Sequence, residues 1–234
     1  MALLQIHFFS EELTECSSIH VILPVERWKK EKYPVLWLLP PAGRDHTAWQ
    51  RNTTVEQLAD ELGIMAVMPD LKLSFGTDMA HGFRYFTMLT KELPELIEEY
   101  FPADLENQMI AGAKEGAYAA LRAAFLCPGR YKLAAGFSCG SLTDEAFTEK
   151  KKKCLLNAFG SGEPSGDEYS LRALAKRRSE GQMKVYFAYG DQDEYRKSAK
   201  QFAETVGGWD GYEAVCFHGA LGWTDWERLL REQI

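Results

Sequence analysis

The chain has 234 residues, 46% of them apolar, and a formal net charge of −7, enough length and apolar content for one large α/β core in a single domain. The acidic balance excludes nucleic acid as a main partner, because phosphate contacts need a basic surface. Five cysteines in an odd set without paired metal-binding spacing, no apolar run near ~18–20 residues and no basic-then-apolar leader point to a reduced, cytoplasmic chain outside the membrane.

Residues 3–9 and 18–23 read as two strands around a polar turn, an antiparallel hairpin at a sheet edge. Residues 34–39 form a continuous apolar run, as expected of a parallel strand covered on both faces. That run stops at Pro40-Pro41-Ala42-Gly43, which cannot be helical. Residues 55–62 have helical periodicity, and 64–68 form another short buried strand. Residues 83–100 predict one longer amphipathic helix, with Pro94 as its irregularity.

After a strand at 109–112 comes a helix over 117–125, then a strand at 133–137. Residues 143–153 are charged, and the lysine run 150–153 reads as a solvated helix face. A Gly/Ser/Glu-rich surface loop at 160–167 precedes a helix at 171–178. The remaining elements are a strand at 184–189, a helix at 199–205, a strand at 212–217 and a closing helix at 223–231. Strands alternate with helices throughout, so the expected class is α/β with a mostly parallel sheet and helices on both faces. In such sheets function sits at the carboxyl ends of the strands.

The most informative stretch is Met-Ile-Ala-Gly-Ala-Lys-Glu-Gly-Ala-Tyr-Ala-Ala, residues 109–120. Apolar residues run into Gly112, and an alanine-rich helix leaves from Gly116. This has the form of a nucleophile elbow, the strand-turn-helix device that lifts one side chain above a sheet. The middle of the usual G-x-S-x-G is a serine; here Gly112 and Gly116 flank Ala113, Lys114 and Glu115.

The order and spacing of several pieces resemble the esterase D group of α/β-hydrolases, the small tributyrin esterases related to S-formylglutathione hydrolases. Those pieces are Met1 to Gln5, Leu38-Leu39, Asp45 to Trp49, Ala66 to Pro69, Ser74-Phe75, Glu92-Leu93-Pro94, Ile110-Ala111-Gly112 with Gly116-Ala117-Tyr118, Gly190 to Asp193, and Trp223 with Trp226. The resemblance covers nearly the whole chain and implies an α/β-hydrolase fold, no cofactor, a small acyl-ester-like ligand and an elbow serine, late acid and last-loop histidine. By position these fall on Lys114, Asp193 and Leu221, so only the acid is kept. A loop that begins His-Gly in the family is Pro40-Pro41 here. The oxyanion hole would use the backbone amides matching Ala42 and Glu115, where the Glu115 carboxylate should weaken anion binding. The resemblance also leaves open a homo-oligomer.

Loss of the serine or histidine from a comparable triad costs about 10⁶ in turnover. The chain therefore reads as a pseudoenzyme on an esterase scaffold. Lys114 is expected to pair with Asp193 or Glu115 rather than act as a nucleophile, because an unpaired buried carboxylate costs about 3–5 kcal/mol. The alternative is an active carboxylesterase or thioesterase with displaced residues, Ser138 (in Gly136-Phe137-Ser138-Cys139-Gly140), His218 and Asp193. Cys139 reads as a small buried thiol. His46 and Trp49 are expected to pack a loop over the pocket, with Phe75, Tyr118 and Trp223 as further lining candidates. No metal site is expected, since His46 and His81 lack neighbours at ligand spacing.

Overall fold

The computed structural model describes residues 1–140, 142, 148–161, 164–177 and 183–234. Parts of the charged stretch at 143–153, the loop at 160–167 and the end of the helix at 171–178 lie outside the described residues. The strands are β1 (Ala2–Ser10), β2 (Glu15–Leu23), β3 (Tyr33–Leu39), β4 (Met65–Pro69), β5 (Ala103–Ala113), β6 (Tyr131–Phe137), β7 (Lys184–Gly190) and β8 (Tyr212–Phe217). They form one sheet in the order β1-β2-β4-β3-β5-β6-β7-β8. β1 and β2 are the antiparallel hairpin, paired from Ala2↔Leu23 to Ser10↔Glu15, with β1 at the edge; β2 also pairs antiparallel with β4, and the pairings from β4–β3 through β7–β8 are parallel.

The helices are α1 (Ala48–Asn52), α2 (Val55–Leu62), α3 (Tyr85–Thr87), α4 (Leu93–Tyr100), α5 (Glu115–Leu126), α6 (Glu149–Phe159), α7 (Leu171–Arg177), α8 (Arg196–Val206) and α9 (Trp223–Gln233). Alternation along β3 divides the interior. Val35, Trp37 and Leu39 point into a core shared with α4 to α8, while Leu36 and Leu38 point into a second core under α1, α2 and α9. Helices thus cover both faces, and the central strands can be apolar at every position.

Two elements differ from their sequence pattern. The helix expected over 83–100 is interrupted: a wide π-helical turn, Met88–Glu92, separates α3 from α4. It ends just before Pro94, which has no N–H to donate and disfavours regular helix in the residues before it. β5 begins six residues earlier than expected, because Ala103 and Asp104 already pair with Tyr33 and Pro34. The register then jumps to Gln108 opposite Val35, and the extra residues turn around Asp104, whose carboxylate accepts from Glu106 N and Asn107 Nδ2.

Candidate active site at the β5–α5 turn

β5 ends at Ala113 and α5 begins at Glu115, leaving Lys114 alone at the apex with φ 51° and ψ −119°. A non-glycine residue there is strained, by about 1–3 kcal/mol. The flanking glycines permit the turn sterically. A Cβ on Gly112 would lie 2.3 Å from the Gly116 carbonyl oxygen, and one on Gly116 would lie 2.4 Å from that of Pro40. The backbone therefore has the elbow form that the glycine spacing predicts.

Lys114 does not reach the carboxylates expected for it. Its Nζ lies 3.8 Å from Glu194 Oε2, and both side chains are largely in water, so the contact is a weak surface pair. The Asp193 carboxylate is buried and satisfied by main chain: Oδ2 accepts from Gly190 N at 2.7 Å and Oδ1 from Leu221 N at 2.9 Å. Those amides do the work that the ion-pair argument assigned to a cation. Leu221 packs its side chain against the core under α9.

Glu115 also has other partners. The residue is 7% exposed, with Oε1 accepting from Tyr195 O–H at 2.5 Å and from Lys151 Nζ at 3.0 Å. Oε2 faces Ala42 N at 3.3 Å, and the Glu115 backbone N–H also turns onto its own carboxylate. Burial pushes the Glu115 pKa up, but the Lys151 charge and the Tyr195 hydroxyl outweigh it, so the group sits below the ordinary carboxylate value and stays ionised. The phenol of Tyr195 is driven far above its usual range by burial and then by the Glu115 charge, which keeps it a donor. For Lys151 burial acts downward, but Glu115 and Glu194 reverse it and raise its pKa.

Lys151 thus departs from the solvated face read from the lysine run. It lies over the Tyr195 ring at 4.4 Å, and also bridges to Glu194 Oε1 at 2.9 Å. Nothing in a run of four lysines says which one turns inward; that depends on where the fold sets α6, whose Phe159 meets Tyr118 of α5 at 6.3 Å. Tyr195 was closer to legible, two residues beyond Asp193 on the same loop.

The two amides matching an oxyanion hole are therefore both turned toward a resident carboxylate. Beside it lies a cavity of about 250 Å³ bordered by Ala42, Leu73, Phe75, Glu115, Lys151 and Cys154. Of the other lining candidates, Trp49 is buried, donates to the Leu39 carbonyl at 3.0 Å and meets Trp223 edge-on at 5.3 Å. Tyr118 is fully buried and donates to the Tyr169 carbonyl, and His46 packs edge-on against His20 at 4.6 Å.

The displaced residues are not brought together. Ser138 is 2% exposed and its hydroxyl accepts from Trp226 Nε1 at 2.9 Å. His218 is exposed and its Nδ1 lies 3.0 Å from Asp191 Oδ2, not Asp193. Burial raises the Cys139 thiol well above its usual pKa, which makes it a poor nucleophile. Among the described residues no group of three or more His, Cys, Asp or Glu could hold a metal ion, and no helix is long and apolar enough to cross a membrane.

The family model described as "Putative esterase" matches residues 10–232. The S-formylglutathione hydrolase of Bos taurus is 24% identical over 187 residues, 70% of this chain and 66% of that protein. That of Paracoccus denitrificans is 30% identical over 129 residues, 46% of each chain. The matches span roughly half to two thirds of the length of these curated relatives. In three dimensions the chain is similar to the Staphylococcus aureus fluorophosphonate-binding serine hydrolase F, with a TM-score of 0.84, 20% identity, and coverage of 99% of this chain and 96% of that one. An S-formylglutathione hydrolase from Agrobacterium tumefaciens gives a TM-score of 0.81 at 19% identity, covering 99% and 92%. The α/β-hydrolase fold is thereby shown.

Proposed function

Because this chain belongs to the esterase family of α/β-hydrolases, we propose that it keeps the family's pocket for a small acyl-ester-like ligand but performs no serine-type ester hydrolysis. The observation that carries this reading is the Glu115 carboxylate, which faces the backbone amides of Ala42 and Glu115. A tetrahedral oxyanion would have to displace a negative charge already held there. Losing one oxyanion donor costs about 10²–10³ in turnover. With Lys114 where the family places its serine and Leu221 where it places its histidine, no proton relay supports attack.

The test is hydrolysis of p-nitrophenyl acetate and butyrate, with labelling by a fluorophosphonate probe that reacts with activated serines. The wild-type protein should show neither turnover above buffer nor labelling. Turnover that vanishes in Ser138→Ala, or only in Lys114→Ala, refutes the reading. The converse experiment introduces Lys114→Ser with Leu221→His, with and without Glu115→Ala. Hydrolysis should emerge only when the carboxylate is also removed.

A further inference from the structure

A second cavity, of about 510 Å³, lies between the start of α1 and the loop after β4. Its charged lining is Arg44, Arg51 and Lys72 together with Asp45 and Asp70, a net cationic site on a chain whose total charge is −7. The acids are already engaged. Asp70 pairs with Lys72 at 2.6 Å, and Asp45 accepts from the Thr47 hydroxyl and backbone N–H at 2.5 and 2.9 Å. Arg44 and Arg51 make no salt bridge among the described residues, but Asp45 attracts Arg51 through its charge, so the lining is left with one positive charge in excess.

Guanidinium is planar, always charged and matched to the two-oxygen edge of a carboxylate or phosphate. Leu73 borders both this cavity and the smaller one at Glu115, so an apolar group anchored here would extend toward the elbow. We propose that this cavity binds a small organic anion, its carboxylate or phosphate held by Arg44 and Arg51 and its apolar part lying along Leu73. The proposal does not depend on whether esters are cleaved at the elbow. Ligand affinity and ester turnover are separate measurements, and each can fail alone.

The test is isothermal titration of the intact protein with phenyl phosphate and benzoate, using benzyl alcohol as the uncharged analogue. At 50 mM NaCl at least one anion should bind about tenfold or more tightly than benzyl alcohol, and 500 mM NaCl should weaken it severalfold. Arg44→Gln with Arg51→Gln should weaken the anion about tenfold or more, leaving the thermal midpoint unchanged because both side chains are exposed. Arg228→Gln, on the outer face of α9, should leave affinity intact. The relative response to the two anions shows which head group the site prefers. Equal affinity for the anions and benzyl alcohol, no binding of either anion, or unchanged affinity in the double variant overturns the proposal.

Discussion

Replacing Lys151 by Met tests the account of the elbow directly. The substitution keeps the side chain's length and removes its charge. The buried Glu115 carboxylate is then left holding Tyr195 and the two amides, without the Lys151 cation. Breaking one side of a fully buried ion pair costs about 3–5 kcal/mol. Lys151 is about one-fifth exposed, and hydrogen bonds still hold the carboxylate, so about 2–3 kcal/mol is expected here. For a chain of this size each kcal/mol moves the melting midpoint by about 2–4 °C, giving a fall of roughly 4–12 °C at pH 7.

The pH dependence gives a second readout. In the wild type Glu115 has a pKa below its unfolded value of 4.5, so its contribution is complete above that value and is lost as pH falls through the folded pKa. In Lys151→Met, burial acts without the opposing charge, and the group protonates at higher pH. The gap in stability should therefore narrow as pH falls from 7 to 4. Melting curves followed by circular dichroism across that range measure both effects. A midpoint within 1 °C of wild type at pH 7, or a gap that stays constant with pH, refutes the buried-pair account.

Lys114→Gly should stabilise the protein by about 1 kcal/mol, read from urea midpoints, since relief of positive-φ strain exceeds the loss of a weak surface pair and the added unfolded-state entropy. Gly112→Ala should destabilise by at least about 3 kcal/mol in the same assay, because its Cβ would meet backbone rather than a movable side chain. Among the described residues the buried ring nitrogens of His20 and His46 have no hydrogen-bond partner, and burial followed by the His20 charge lowers the His46 pKa below 6.5. Stability should be full above pH 6.5 and decline as pH falls toward the folded value; Asp45 and Asp70 oppose this shift and Lys72 adds to it. His46→Phe, which keeps the edge-on packing, should flatten that decline in urea titrations at pH 7 and pH 5.5.

The fold was largely legible because burial on both sides of a parallel sheet leaves continuous apolar runs, and β3 and β4 lie within one residue of those runs. The elbow was legible for a steric reason: only glycine fits at 112 and 116. The π-helical turn before Pro94 was not, since periodicity reports which face is buried and not where hydrogen bonds lengthen. The electrostatics of the site were the least legible. Sequence order places Lys114 beside Glu115, yet the elbow turns those neighbours apart, and Glu115 meets residues 36 and 80 positions away, Lys151 and Tyr195. Asp193 shows the same limit, because carboxylate satisfaction by backbone amides leaves no mark in side-chain identity.

The glycine contacts that lock β5, α5 and the Pro40 turn together bear on kinetics. With Gly116 pressed against the Pro40 carbonyl, the main chain around the two amides has no slack. Exchange between the resident carboxylate and an incoming anion would then proceed by side-chain torsion at Glu115 rather than by loop rearrangement. Such a swap would first have to break the Glu115 contacts to Lys151 and Tyr195, so its rate would be set by that buried carboxylate and not by a loop isomerisation.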